Sequence, residues 1–216
     1  MTAGRLRVFA IFDKPDPLDG PFFEETIYVT PSDLSGETQD AVAREVQRAA
    51  TALGLLHGPI HAECRVGPSG IVMLEIAARP IGGLCSRVLR FDPGAATLED
   101  VLLRHALGAE TSGHSREPRA AGVMMIPIPK RGVFRRVEGE AEARAVGLVE
   151  EIRITAKPDQ LLEPLPEGAS YLGFIFARGP ERAAVVRALR DAHRRLRFAI
   201  DPAIDVTPAP ARAEVP

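Results

Sequence analysis

Short apolar runs alternate with stretches of helical period along the whole chain. Residues 5–12 (RLRVFAIF) read as a β-like run with no cap or turn ahead of it, resembling the continuation of a sheet. Pro and Gly make residues 13–21 (DKPDPLDGP) a loop, and FFEETIYVT reads as a strand stopped by Pro31 and Ser32. Over residues 37–53, Val42, Val46, Ala49, Ala50 and Leu53 recur at helical spacing, with Gly54 placed to end the helix. PIHAECRV (59–66) and GIVMLEIA (70–77) are joined by GPSG, which predicts an antiparallel hairpin. TLEDVLLRHALG then predicts a helix with Thr97 as N-cap and Gly108 as stop.

A polar, turn-rich stretch at residues 108–119 separates this half from the next. Beyond it the order reads strand (GVMMIPIP), strand (GVFRRV), short helix (EAEARAV), strand (EEIRITA), loop and strand (YLGFIFA). A helix from Pro180 to about Arg195 and a last short strand, RFAI, complete the series. The fold class is therefore α+β: an antiparallel sheet with helices, followed by a small α/β sandwich. The expected division is residues 1–110, residues 119–200 and a Pro- and Ala-rich tail, residues 201–216, with the composition of a disordered segment.

Composition narrows the function classes. In 216 residues, 27 Lys and Arg against 29 Asp and Glu leave a formal net charge of -2, which gives no footprint for nucleic acid. The cluster Arg187, Arg190, Arg194, Arg195 and Arg197 falls on or just after one predicted helix and reads as a solvated face. No apolar run approaches the roughly 18 residues that would argue for a membrane span, and the first residues lack a signal-peptide pattern. The two cysteines, Cys64 and Cys85, suggest no disulfide framework, so a reducing cytoplasm is the expectation.

The chemistry concentrates in HAECRVGPSGIVMLEIAARPIGG. Glu63 and Glu75 each interrupt an apolar run, and a carboxylate in such a place is normally paired or holds a cation. A symmetric turn over Gly67–Gly70 would face Glu63 with Leu74 and put Glu75 on the other side. A one-residue shift, from a bulge, would instead pair the two acids on one face. Two carboxylates that close either share a proton or bind a cation, and oxygen ligands favour Mg²⁺ or Mn²⁺. Arg79 could clamp a phosphate or carboxylate, the alternative being an ion pair with Glu75 on a surface hairpin. Gly82 and Gly83 allow close backbone approach to a ligand. His61 shares a face with Glu63, as an orienting partner or as a histidine satisfied within the sheet. Lys14 could reach a phosphate, but a loop lysine beside two acids reads as solvated.

This stretch resembles the metal-binding hairpin of the ATP-grasp superfamily, whose second motif is usually Glu-x-Asn-x-Arg. Here Ala77 stands in place of the Asn, a departure similar to the Glu-x-Ala-Ala-Arg of the L-amino acid ligase branch. The resemblance implies that Glu63 and Glu75 hold magnesium and that Arg79 and Gly82 face an acyl-phosphate intermediate. GPFFEETIYVTPS (20–32) is similar to a strand bordering the amino-acid pocket in that branch, which implies that Glu25 binds an ammonium group and Tyr28 walls the pocket. GVMMIPIP, VEEIRITA and EGASYLGFIFARG resemble its small C-terminal domain.

The resemblance implies ATP and magnesium (or manganese), small carboxylate and amine substrates, and amide or peptide bond formation through an acyl phosphate. It also implies that the chain is the carboxy-terminal half of such a ligase, inactive without the N-terminal half, the alternatives being a split subunit completed by a separate N-terminal half, a truncated product or a mis-assigned start. The competing expectation is a non-catalytic binding or interaction module derived from the same fold.

Overall fold

The computed structural model describes residues 1–16, 26–164, 167–168 and 170–203. A four-stranded antiparallel sheet forms its centre, in the order β1 (Ile27–Thr30), β6 (Ala120–Ile126), β10 (Gly173–Gly179), β8 (Val149–Ile154). A three-stranded sheet places β7 (Gly132–Glu138) between β11 (Arg197–Asp201) and the short β9 (Leu161–Leu162). Two hairpins stand apart, β2 (His61–Gly67) with β3 (Gly70–Ala77) and β4 (Phe91–Asp92) with β5 (Ser115–Arg116). The helices are α1 (Gly36–Ala52), α2 (Leu98–Ala106), α3 (Glu140–Arg144) and α4 (Arg182–Arg195), with a 3-10 turn at Cys85–Val88.

The central strand β6 explains why VMMIPI is apolar without alternation. Ala120, Met124 and Ile126 face α4, where Val185, Leu189 and Ala192 are fully buried. Ala121, Val123 and Met125 face the other way, onto Cys85, Val88 and Phe176. A strand buried on both faces needs no polar side. Gly122 is required where α4 crosses, because a Cβ there would meet Leu189 and Val185 at 3.2 Å and the Tyr28 carbonyl at 3.0 Å.

The helix ends follow the sequence signals. Ser35 Oγ accepts a hydrogen bond from Thr38 N at the start of α1, and Gly54 takes φ +70° just past its end. Thr97 and Asp100 form a reciprocal capping box on α2.

Two expectations change. Residues 5–12 form no strand ladder among the described residues. Phe9, Ala10 and Phe12 are instead packed against Phe91, Leu98 and Tyr28 from an extended segment, which produces the same apolar pattern as a strand without its hydrogen bonds. The last strand continues to Asp201, where Arg135 Nε meets its carboxylate at 2.7 Å, so the strand enters the expected tail; residues 204–216 lie outside the described residues. β1 comes from the first half of the chain and pairs with β6 from the second, which brings Tyr28 beside the C-terminal core.

Candidate active site

The β2–β3 ladder decides where the two carboxylates point. From Gly67↔Gly70 to Cys64↔Met73 the pairing is that of the symmetric turn. The register then shifts between Glu63 and Cys64, leaving Leu74 without a partner and setting Glu63 opposite Glu75. The extra residue of a β-bulge thus converts opposite faces into a shared one. Directly opposed like charges destabilise a ladder unless cations offset them.

Each carboxylate has its own cation. Lys14 Nζ lies 3.1 Å from Glu63 Oε2, and His61 Nε2 lies 3.2 Å from Glu63 Oε1. Burial pushes the Glu63 carboxyl up, but Lys14 and His61 together outweigh it and hold the group below the ordinary glutamate value. Lys14 also stands 5.1 Å above the Tyr28 ring, and its side chain is only 20% exposed, so the solvated reading of this lysine is corrected. Arg79 Nη2 lies 3.1 Å from Glu75 Oε1 and Nη1 donates to the Pro80 carbonyl at 3.0 Å. Arg79 and Glu75 are both about half exposed (51% and 49%), so this pair is accessible to solvent and to an incoming anion.

The loop after Arg79 is fixed from beneath. Gly83 has φ +59° and its Cβ position would fall 2.2 Å from Met125 Cε, so no other residue fits without movement. Leu84 is also left-handed at φ 54°, and Cys85 N donates to the Gly82 carbonyl at 3.1 Å. Together these turn the chain sharply into the Cys85–Val88 3-10 turn.

A cavity of about 960 Å³ opens between the hairpin, the extended N-terminal segment and α1. Lys14, Tyr28, His61, Glu63 and Glu75 line it, together with apolar side chains that include Phe12. Pro80 and Ile81 line it as well, whereas Arg79 and Gly82 do not. Tyr28 is buried, with its ring edge-on to Phe12 at 6.3 Å. Glu25 lies outside the described residues.

The residues present suit a hard cation only in one form. Among the described residues no group of three or more His, Cys, Asp or Glu side chains could hold a metal ion. Glu63 and Glu75 supply two carboxylates on one face, the donor set of a Mg²⁺ or Mn²⁺ site completed by phosphate oxygens rather than by protein. Sequence reasoning missed the contacts of Lys14, and a partner 49 residues away leaves no local signal.

Residues 1–88 match the ATP-grasp domain, and residues 124–201 match the L-amino acid ligase C-terminal domain 2. No curated protein matches the chain. The structure of an L-amino acid ligase from Bacillus licheniformis superposes with a TM-score of 0.80 at 26% identity, covering 93% of this chain and 50% of that one. Phosphoribosylglycinamide synthetase from Anaerococcus prevotii (TM-score 0.65, 14% identity, 82% of this chain and 45% of that one) shares the fold. So does N5-carboxyaminoimidazole ribonucleotide synthetase from Thermotoga maritima (TM-score 0.61, 15% identity, 81% and 46%). The chain spans about half the length of these solved relatives. With an ATP-grasp domain match over residues 1–88, an L-amino acid ligase C-terminal domain match over residues 124–201 and this fold, the chain is similar to the ATP-grasp superfamily, on its L-amino acid ligase-like side.

Proposed function

We propose that this chain supplies the metal- and acyl-phosphate-holding part of an ATP-dependent carboxylate–amine ligase that forms an amide or peptide bond. The observation that supports this most is the bulge that sets Glu63 opposite Glu75 on the cavity wall. An unpaired residue and two facing carboxylates are both unfavourable for a hairpin, and a cation site is the use that joins them.

In this reading residues 1–110 carry the metal and phosphate chemistry, and residues 119–200 form the domain that supports it. A divalent cation, when bound, neutralises charge on the nucleotide phosphates. Glu63 and Glu75 hold it, and His61 keeps Glu63 oriented. A substrate carboxylate oxygen bonds to the γ-phosphorus of ATP as the bond to ADP breaks. Arg79 faces the equatorial oxygens, where its guanidinium offsets developing negative charge. The substrate amine then bonds to the acyl carbon, phosphate leaves, and the amine loses a proton. Gly82 lets the backbone approach the acyl phosphate, Tyr28 walls the pocket, and Glu25 meets the substrate ammonium group.

Turnover also requires adenine to be positioned, since most of the advantage of such a site comes from holding the reactants. We assign that task to a further, N-terminal half, so the chain alone binds without turning over. The proposed setting is the cytoplasm. No described helix is long and apolar enough to cross a membrane.

Calorimetric titration with Mg²⁺–ADP, repeated on Glu75→Ala, tests the proposal. Magnesium-dependent binding that disappears in the variant is expected. Binding that survives Glu75→Ala, or proceeds equally with EDTA, would remove the metal pair from the account.

A further inference from the structure

Lys14 is flanked by two anchored acids. Asp13 exchanges backbone hydrogen bonds with Val29 at 2.8 and 3.0 Å, and its Oδ2 accepts from the Asp33 N–H at 2.8 Å. The same Oδ2 lies 2.6 Å from Arg182 Nη2, while Arg182 Nη1 reaches Asp33 Oδ1 at 3.0 Å. On the other side Asp16 pairs with Arg190 and accepts from Thr26 Oγ1 at 2.6 Å. Both arginines belong to α4, about two turns apart, on a helix whose Val185 and Leu189 are fully buried against the sheet.

These contacts join the most distant parts of the chain. Arg182 and Asp13 are 169 residues apart, and Arg190 and Asp16 are 174 apart. The Arg190–Asp16 pair is partly exposed and contributes little stability by itself. The position of the two pairs matters more: they fix the backbone on both sides of Lys14, and a guanidinium fork loses little freedom in doing so. With Asp13 and Asp16 held, the Lys14 side chain extends over Tyr28 to Glu63.

We infer that Arg182 and Arg190 are positioning residues of the metal–phosphate site, acting from α4 through Asp13 and Asp16 to hold Lys14 against Glu63. The inference rests on reading Glu63 and Glu75 as a metal pair. An ammonium on Glu63 Oε2 occupies an oxygen that a divalent cation needs, so Lys14 opposes the bare metal. Once displaced, it remains tethered beside the site with phosphate as its new anion. The C-terminal domain therefore sets how strongly the site prefers a metal–polyphosphate complex over the metal alone.

The test is Mn²⁺ binding to the full chain by electron paramagnetic resonance, followed by inorganic tripolyphosphate binding at saturating Mn²⁺. Lys14→Met is expected to tighten Mn²⁺ and weaken tripolyphosphate, each by about threefold or more. Arg182→Ala and Arg190→Ala are expected to move both affinities in the same senses by smaller factors. Neither should add anything on a Lys14→Met background, and Arg182→Lys should restore most of the wild-type values. Should Arg182→Ala fail to fold, Arg190→Ala carries the same comparison, and thermal melts separate the two cases. An arginine variant that lowers the melting temperature while both affinities stay unchanged, or whose effect adds in full to Lys14→Met, overturns the inference alone. Wild-type protein without saturable Mn²⁺ binding, or with binding indifferent to Glu75→Ala, overturns the metal-pair reading and the inference with it.

Discussion

Glu63 and Glu75 face each other across the β2–β3 hairpin because Leu74 has no partner in the ladder. Leu74 is 57% exposed, lies outside the core and lines the cavity beside Glu75. Deleting Leu74 leaves a regular ladder in which the same two carboxylates remain opposed, since the bulge adds one residue to one strand only. Magnesium-dependent phosphate binding by the deletion variant should stay within about threefold of wild type. Complete loss of binding would show that the kink itself, and not the pairing, makes the site.

The loop that carries Arg79 and Gly82 depends on Gly83. Gly83→Ala combines a left-handed φ of +59° with a Cβ 2.2 Å from Met125 Cε, and it should cost about 1–2 kcal/mol in urea denaturation. Gly82→Ala meets only Arg79 Nη1 at 4.0 Å and should change stability by less than about 0.5 kcal/mol. Equal effects at the two glycines would contradict this account of the loop.

Arg178 fastens the far end of the same loop. It is 7% exposed, pairs with Glu117, lies 2.8 Å from Glu150 Oε1, and donates to the Val88 carbonyl at 3.0 Å. Arg178→Met leaves Glu117 and the Val88 carbonyl without this donor. The loss should be about 2–3 kcal/mol, the low end for a broken buried pair because Glu150 is 42% exposed. A change below about 0.5 kcal/mol would show that water replaces the arginine at no cost.

Helices α1 and α2 were legible because their apolar spacing and end signals are local, and α4 was legible although no side chain caps it. Thr97 and Gly54 announce ends that the structure reproduces, whereas the Ser35 cap emerges only from the structure. The hairpin was legible too, but not its register: GPSG fixes the turn, while the slip at Glu63 and Cys64 depends on packing that no local pattern encodes. Residues 5–12 misled for the complementary reason, since an extended apolar segment and a strand present the same residues. The anchoring of Lys14 by α4 was illegible, because ion pairs across 169 and 174 residues exist only once the sheet has formed.

Acid sensitivity should trace partly to His193 on α4. Burial holds its imidazole below the ordinary value of 6.5. A depressed pKa means that the unfolded state binds the proton first, so this contribution is complete above pH 6.5 and is lost as pH falls through the folded value. Between pH 7.5 and 5.5 wild type should therefore lose more urea-denaturation stability than His193→Leu. Parallel losses in the two proteins would assign the acid sensitivity elsewhere.

The most direct measurement is anomalous diffraction from crystals of the full chain soaked with Mn²⁺ and tripolyphosphate. The account predicts a manganese peak bridging the carboxylates of Glu63 and Glu75, with Lys14 moved from Glu63 to phosphate oxygen. A peak elsewhere, or no peak while Lys14 and Arg79 keep their present carboxylate partners, would contradict it.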